Sequence, residues 1–214
     1  MKISYQILCK NEGYSLEKLI NLLMDHIDSN DEINICRDLL GENPQTKEIL
    51  KLYSGFECIN VYEREITHTI HNQKNWLATK ANGDYLFYLD ADELLDPTLI
   101  QNLKIILESN PNVDVYFLPR TNIVIGLKEE YRKSRGWKVD QEGRINWPDI
   151  QDRIFKNNGR IKYNEIPHGR LINYKEYTIL PLENVYAIYH EKTMEKQEND
   201  NAWHDNKERE LGLR

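Results

Sequence analysis

The stretch Asp84-Tyr-Leu-Phe-Tyr-Leu-Asp90-Ala-Asp92-Glu93 decides the fold, because a run of apolar and aromatic residues is followed at once by three carboxylates. Every position from 85 to 89 is apolar or aromatic, which predicts a strand covered on both faces, as in the centre of a parallel sheet. Parallel sheets bind ligands at the carboxyl ends of their strands. The pattern therefore places Asp90, Asp92 and Glu93 where a ligand is expected.

Carboxylates this close together repel one another unless a cation lies between them. Asp90 and Asp92 are two residues apart and can approach one ion. Mg²⁺ and Mn²⁺ take oxygen ligands, commonly one or two protein carboxylates together with substrate phosphates. A solvated acidic turn is the alternative interpretation. The position after a fully apolar strand, within a βαβ pattern, favours the metal site.

The first 120 residues alternate apolar runs with helical periodicities. Strands are predicted at 3–9, 33–36, 58–62, 85–89 and 113–118, and helices at 15–24, 44–53, 72–81 and from Pro97 onward. Ser15 is the predicted N-cap of the first helix, Asp96-Pro97 starts the fourth, and Gly83 is expected to supply the left-handed residue that ends the third. The alternation predicts an α/β fold with a Rossmann-like, mostly parallel sheet flanked by helices.

The second half has a different pattern. Residues 126–148 show no helical or strand period and carry a basic cluster, so they are interpreted as a mobile excursion or lid; the basic residues are Arg132, Lys133, Arg135 and Lys138. Short strands are predicted at 153–156, 177–180 and 185–189, and an exposed C-terminal helix within 191–210.

Composition excludes several classes of protein. A chain of 214 residues with 40% hydrophobic residues can form one domain with a hydrophobic core. Its net charge of -7 opposes sequence-independent nucleic-acid binding, because phosphate contacts need a basic face. Three cysteines without a Cys-x-x-Cys pair predict neither a disulfide framework nor a zinc knuckle. With no signal peptide or membrane-spanning stretch in the sequence, we expect a cytoplasmic protein.

Residues 74–93 resemble the signature of family 2 glycosyltransferases, in which a basic-Asn pair on a helix precedes a Gly-Asp, strand and Asp-x-Asp-Glu element. Lys74-Asn75 fills the basic-Asn position. The first strand and its Lys10-Asn11-Glu12 ending are also similar to the family, as is the second strand ending at Asp38. In the second half, residues 147–156 and 189–192 resemble small members encoded by bacteriophages, which implies the host-cell cytoplasm if the chain is phage-encoded.

The resemblance implies a GT-A fold in a single domain, 1–214, with a nucleotide-sugar-binding half (1–120), an acceptor-side half (121–214) and the lid at 126–148. It implies a metal-dependent glycosyltransferase, hexosyl-transferring and inverting. The expected cofactor is Mn²⁺ or Mg²⁺, and the expected donor is a nucleoside-diphosphate sugar, with a UDP-sugar in first place. The acceptor is expected to be a hydroxyl of a saccharide or other glycan.

The resemblance also implies roles for individual residues. The donor-binding residues are expected to be Asn11, Glu12, Asp38, Lys74, Asn75, Asp90, Ala91 and Lys192. The expected metal ligands are Asp90, Asp92 and His190. The candidate catalytic bases, in order, are Asp149, Asp152 and Glu93. The acceptor side is assigned to Trp137, Trp147 and His168, since indole faces stack on sugars and bases.

Two departures from the family pattern weaken single assignments. Asp38 is followed by Leu-Leu-Gly, where the family more often has a Gly or Ser and then Ser, and His168 is followed by Gly169 instead of an acidic residue.

Three other functions stay open. Transfer to a hydroxymethylated base of phage DNA fits the basic cluster but not the net charge. A non-catalytic nucleotide-sugar-binding protein would not need the carboxylates at 90, 92 and 149, and a nucleotidyltransferase would normally have a Gly-rich loop after the first strand.

Overall fold

The computed structural model of the chain describes residues 1–65, 69–164 and 169–210. The strands are β1 Ile3–Cys9, β2 Glu32–Asp38, β3 Ile59–Arg64, β4 Tyr85–Asp90, β5 Glu93–Leu95, β6 Val115–Ile125, β7 Asp149–Lys156, β8 Lys162–Tyr163, β9 Leu171–Ile172, β10 Tyr177–Ile179 and β11 Ile188–Thr193. The helices are α1 Tyr14–His26, α2 Pro44–Tyr53, α3 Ile70–Ala78, α4 Pro97–Ser109, α5 Glu129–Ser134 and α6 Met194–Glu210.

The main sheet has the order β3-β2-β1-β4-β7-β6-β11-β5, and β10 pairs with the start of β6. The pairs β1–β2, β2–β3, β1–β4 and β6–β11 are parallel, whereas β7 runs antiparallel to both of its neighbours and β5 antiparallel to β11. The predicted α/β fold with a mostly parallel sheet is confirmed. The carboxyl ends of β1, β2, β4 and β6 therefore share one edge with the amino ends of β5 and β7.

Strand β4 is covered on both faces, as its unbroken apolar sequence predicts. Tyr85, Phe87 and Leu89 belong to the main core with α1 and α4, whereas Leu86 and Tyr88 pack in a second cluster on the other face. Side chains alternate across a strand, so each face receives every second residue. Because β4 is buried on both sides, its carboxyl end is a rigid platform for the acidic residues that follow.

Several predicted boundaries are confirmed. The first strand and the second helix have the predicted bounds, and the side chain of Asp96 caps α4 by accepting the Thr98 N–H at 2.8 Å, with Pro97 at the first helical position. Cys9 and Cys36 are buried free thiols.

Two predictions about helix ends are wrong. The N-cap of α1 is Gly13 rather than Ser15, and Gly13 has a φ of 52° that suits glycine. Helix α3 ends at Ala78, and Gly83 is not in the left-handed region. Steric space explains the glycine at position 83, because a Cβ there would lie 2.6 Å from Ser4 Oγ and 2.7 Å from Ser4 N. Gly83 therefore permits the close approach of the chain to β1.

In the second half, three predicted segments differ from the structure. Strand β6 continues to Ile125 instead of ending at 118. Residues 185–189 are not one strand, because a 3-10 turn at Asn184–Tyr186 precedes β11, so His190 lies inside a strand rather than after one. The excursion at 126–148 is not irregular throughout, since it contains α5, a helix of six residues that is too short to show a helical period. The predicted C-terminal helix is present as α6.

Across the described residues, no helix combines the length and the apolar character that a membrane span requires.

Candidate active site at the carboxyl edge of the sheet

The register of four strands brings the polar residues of this edge together. Arg120 of β6 lies opposite Asp149 of β7, and Asn122 of β6 lies opposite His190 of β11. His190 in turn lies opposite Glu93 of β5. Directly opposed residues have Cβ atoms about 5 Å apart. Residues that are up to about a hundred positions apart in sequence therefore form one cluster.

A buried ion network forms the floor of the site. Arg153 Nη2 lies 2.6 Å from Glu93 Oε1 and 3.0 Å from Asp90 Oδ2, and Arg120 Nη1 lies 3.2 Å from the same Glu93 oxygen. The other oxygen of Glu93 accepts the Asp90 N–H at 2.9 Å. Glu93 is 0% exposed and both its oxygens are occupied, so removing one partner would leave a buried charge unpaired. The network holds the end of β4 against β6 and β7.

Asp90 belongs to this network. Burial favours the neutral carboxyl, but Arg153, Lys74 and Arg120 together hold the pKa of Asp90 well below its usual value. Asp90 is therefore a fixed anion whose nearest cations are protein side chains.

Asp92 and His190 meet, as predicted, but Asp90 does not join them. His190 Nε2 lies 3.4 Å from Asp92 Oδ2, whereas the Asp90 carboxylate lies against Arg153. Within the described ranges, no three His, Cys, Asp or Glu side chains converge as a metal-binding group. The protein thus offers one carboxylate and one imidazole, and a divalent ion would need oxygens from a ligand to complete its shell.

Asn122 connects this pair to Asp149. Asn122 Nδ2 donates to Asp149 Oδ2 at 2.9 Å, and Asn122 Oδ1 lies 2.8 Å from His190 Nδ1. An ionised carboxylate only accepts, so the amide nitrogen must face Asp149 and the amide oxygen must face His190. His190 Nδ1 consequently carries the hydrogen, which directs Nε2 toward Asp92.

Asp149 is the most accessible of the three candidate bases, with 27% of its side chain exposed. Its Oδ2 accepts hydrogen bonds from Arg120 and Asn122, and its Oδ1 accepts one from Gln151 at 2.7 Å. Burial acts to raise the pKa of Asp149, but Arg120 and these hydrogen bonds lower it overall. Each carboxylate oxygen accepts about two hydrogen bonds. Oδ1, with Gln151 as its partner among the described residues, therefore retains room for a further donor.

Asp152 and Glu93 are less accessible. The Asp152 side chain is 6% exposed, and its Oδ2 accepts the Leu171 N–H at 2.7 Å. Glu93 is enclosed by its arginines. In the described structure, both residues hold neighbouring segments in place.

Lys74 and Asn75 lie beside the floor of the site on α3. The Lys74 ammonium sits 4.9 Å from the centre of the Tyr163 ring and 5.7 Å from that of Tyr88. Desolvation lowers the pKa of Lys74, with Asp90 as the largest opposing influence. The Asn75 amide forms two hydrogen bonds of 2.8 Å with the backbone of Tyr163. Asn75 thus fastens α3 to β8 and holds the ring under Lys74.

The other predicted donor residues lie along the same edge. Asn11 accepts the Asn43 N–H at 3.0 Å, and the Glu12 carboxylate accepts the Lys10 N–H. Asp38 is buried at the end of β2, accepts the Leu40 N–H at 3.1 Å and lies 3.4 Å from Lys10 Nζ. Ala91 is buried between the two aspartates, and Lys192 lies 3.8 Å from Asp92.

The two acceptor-side candidates within the described residues, Trp137 and Trp147, have different surroundings. Trp137 packs with Tyr131 against a small core cluster of Val124, Ile145 and Met194, so it anchors the excursion. Trp147 precedes β7, and the Arg144 guanidinium covers its ring at 4.2 Å. His168 lies outside the described residues.

Three of the four residues of the basic cluster at 132–138 have acidic partners. Arg132 and Lys133 pair with Glu129, and Arg135 pairs with Asp205 of α6 at 2.9 Å. Arg132, Lys133 and Arg135 therefore have anionic partners within the protein itself.

Four residues of the site were missed in the sequence: Arg120, Asn122, Arg153 and Lys196. Arg120 and Asn122 are two apart on β6, which would have placed both on one face had the strand been predicted to its full length. Arg153 could also have been identified from the sequence, because a charged residue next to the apolar Ile154 and Phe155 in a buried strand needs an ion-pair partner.

The fold and the acidic, ion-paired edge define a member of a family of sugar-transferring enzymes. Residues 4–177 match the family described as "Glycosyl transferase family 2", and the chain therefore belongs to this family.

Solved structures of S. aureus TarS share the GT-A fold. The match to TarS 1–349 has a TM-score of 0.62 and a sequence identity of 14%. The aligned region covers 89% of this chain and 60% of the TarS chain. The match to the TarS 1–349 complex with UDP-GlcNAc has a TM-score of 0.63 and a sequence identity of 14%, and it covers 90% of this chain and 59% of the TarS chain. The match to the complex with UDP has a TM-score of 0.62 and a sequence identity of 14%, and it covers 89% of this chain and 60% of the TarS chain. The chain thus spans about three fifths of these TarS chains, and at this identity the likeness shows the fold.

Proposed function

We propose that this chain transfers a hexosyl group from a nucleoside-diphosphate sugar to a hydroxyl acceptor, with Mn²⁺ or Mg²⁺ as cofactor and with inversion at the anomeric carbon. The observation that carries the proposal is the contiguous series at the ligand-binding edge of the sheet, in which Asp92 lies 3.4 Å from His190 and Asn122 forms hydrogen bonds with both His190 and Asp149. Membership in glycosyl transferase family 2 supports the reaction class.

The residues present fit a divalent ion that also contacts a ligand. Asp92 offers a carboxylate, and the hydrogen bond to Asn122 fixes His190 with Nε2 toward that carboxylate. Imidazole is an acceptable ligand for Mn²⁺ and a poorer one for Mg²⁺, so Mn²⁺ is favoured. When bound, the ion would stabilise the negative charge that develops on the leaving diphosphate. Asp90 is proposed to hold the end of β4 rather than the ion, because Arg153 occupies its carboxylate.

Asp149 is the proposed general base. Arg120 and Asn122 hold its Oδ2, which leaves Oδ1 to accept the proton of the acceptor hydroxyl as that hydroxyl attacks the anomeric carbon. The lowered pKa keeps Asp149 ionised at neutral pH, so the base is in its reactive form before the acceptor arrives. Attack from the side opposite the leaving group inverts the configuration.

A UDP-sugar is the proposed donor. Support comes from the solved TarS complexes with UDP-GlcNAc and UDP, which share the fold of this chain. Asn11, Glu12 and Asp38 lie at the ends of β1 and β2, the edge where parallel sheets accommodate nucleotides. The Lys74 ammonium lies near Asp90 on the same edge and is proposed to face the donor.

The proposed acceptor is a saccharide or other glycan, with Trp147 beside Asp149 as the surface on which it rests. The Arg144 guanidinium covers one face of this ring, so the opposite face is proposed for the sugar. Transfer to a base in DNA is not favoured, because acidic partners neutralise most of the basic excursion.

Thermal shifts with UDP-GlcNAc and UDP, each with and without Mn²⁺, test the proposal, since a ligand that binds the native state raises its stability. We expect Mn²⁺ to increase the nucleotide-dependent shift in the native protein. Asp92→Asn and His190→Ala should lose this Mn²⁺-dependent increase while still folding, because both side chains lie at the edge of the sheet.

His26→Ala is the matched control, because His26 lies at the end of α1 and contacts Gln101. It should keep the full Mn²⁺-dependent shift. The proposal is overturned if the native protein shows no nucleotide-dependent shift, or if Asp92→Asn and His190→Ala respond to Mn²⁺ as the native protein does.

A further inference from the structure

Two lysine ammonium groups and one imidazole surround the single carboxylate of Asp92. Lys196 Nζ lies 2.8 Å from Asp92 Oδ2, His190 Nε2 lies 3.4 Å from the same oxygen and Lys192 Nζ lies 3.8 Å from it. Lys192 also pairs with Asp200 at 2.6 Å, so it has an anion of its own. Lys196 has Asp92 as its ion-pair partner within the described part of the chain.

Lys196 belongs to α6, and three other described side chains of this helix make polar contacts. Asp205 pairs with Arg135 at 2.9 Å, the Asn201 amide donates to the Tyr131 hydroxyl at 2.8 Å, and Glu198 lies 3.7 Å from Lys128. All three partners belong to the excursion at 126–148. These contacts join α6 to the excursion, so a ligand that changes the charge at Asp92 acts on both segments.

A divalent ion and Lys196 compete for the same oxygen. Metal–oxygen distances are about 2.0–2.2 Å, so an ion on Asp92 Oδ2 would stand within a few ångströms of an ammonium group that also lies on that oxygen. The two cations repel each other. Lys196 must therefore leave Asp92 when the ion binds, and the ammonium then needs another anion nearby.

The diphosphate of the donor is an anion suited to Lys196. We propose that Lys196 changes partners: it pairs with Asp92 in the ligand-free protein and binds the diphosphate of the nucleotide when the metal ion occupies Asp92. This inference rests on the proposed function and adds α6 to the donor site. In consequence, binding of donor and metal draws the first turn of α6 over the diphosphate.

The exchange predicts opposite effects on two affinities. Lys196→Met removes the competing cation, so Mn²⁺ alone should bind more tightly than to the native protein. The same change removes one charged hydrogen bond to the diphosphate, so UDP at saturating Mn²⁺ should bind about tenfold more weakly. A residue that only holds α6 in place would not move the two affinities in opposite directions.

The test uses the full chain and two probes. The affinity for Mn²⁺ without nucleotide is measured by electron paramagnetic resonance, and the affinity for UDP at saturating Mn²⁺ by calorimetry. Lys128→Met is the matched control, because it removes a contact between the excursion and α6 without touching Asp92. Circular dichroism of both variants checks that each is folded.

Tighter Mn²⁺ binding together with weaker UDP binding in Lys196→Met, with neither change in Lys128→Met, supports the exchange. If Lys196→Met matches Lys128→Met in both affinities, or if both affinities change in the same direction, Lys196 does not exchange partners. Equal affinity for UDP with and without Mn²⁺ in the native protein also overturns the exchange, because the ion would then not be needed to release Lys196 from Asp92. If the native protein binds neither UDP nor Mn²⁺, the proposed function fails as well.

Discussion

Asp149 is a carboxylate whose environment favours the charged state. Substituting Asp149→Asn keeps the size and most hydrogen bonds of the side chain but removes its ability to take a proton. We expect nearly unchanged UDP affinity and a loss of turnover of about 10²–10⁴-fold, because a base acts in the transition state. Steady-state kinetics with a UDP-sugar and calorimetry with UDP measure the two effects.

Asp28→Asn is the control for Asp149→Asn, since Asp28 is also an ion-paired aspartate, 2.6 Å from Lys104, and lies before the amino end of β2, away from the site. Turnover close to native in Asp149→Asn would move the role of base to another residue.

The lowered pKa of Asp149 predicts the pH dependence of the reaction. The acid limb of the kcat/KM profile should lie below the ordinary aspartate pKa of about 4, because the base loses activity only once it is protonated.

The proximity of site residues was predictable where a local pattern carried it. Asp92 and His190 were named from the family resemblance, and the structure places them 3.4 Å apart. The roles of Asn122 and Arg153 were not predictable, because each depends on the register between strands that are far apart in sequence. A one-residue change in that register would turn Asn122 to the other face of the sheet.

At the scale of elements, the excursion at 126–148 depends on one anchor. The Trp137 ring packs with Tyr131, 5.7 Å between centroids, against the cluster of Val124, Ile145 and Met194. We expect Trp137→Ala to cost about 1–3 kcal/mol and to act locally. Hydrogen exchange should accelerate across 128–146 and in the first turn of α6, with little change in β1 to β4.

Lys138→Ala is the comparison for Trp137→Ala, because the neighbouring Lys138 is exposed and its backbone N–H provides its contact to Asn146. It should leave exchange rates unchanged. Uniform acceleration throughout the protein in Trp137→Ala would show that the excursion is not an independent unit.

Long elements with clear periods were predicted well, whereas short ones were not. The second helix was given its observed bounds, because its N-terminal proline and buried positions at 46, 49, 50 and 53 form an amphipathic pattern. Helix α5 has six residues, none of them fully buried, and its Tyr131 packs against the cluster of Val124, Ile145 and Met194. Periodicity cannot reveal an element that presents no apolar face.

At the scale of the whole molecule, charge opposes a nucleic-acid acceptor. The chain carries a net charge of -7, and acidic partners offset three of the four residues of the basic cluster at 132–138. We expect binding to duplex DNA, with or without 5-hydroxymethylcytosine, to be weaker than about 10⁻⁴ M at physiological salt. Fluorescence anisotropy at two salt concentrations measures this, and micromolar binding with a steep salt dependence would restore the DNA acceptor.

The antiparallel β7 between β4 and β6 has a consequence for the chain during its synthesis. Strand β4 ends at Asp90 and its neighbour β7 begins at Asp149, so about 60 residues separate them. At about 5–20 residues per second, the ribosome needs about 3–12 s to make this interval. During that time one edge of β4 has no partner strand, and open edges invite pairing with other chains. The nascent protein is therefore most vulnerable to aggregation after its nucleotide-binding strands have formed and before residue 156 has emerged.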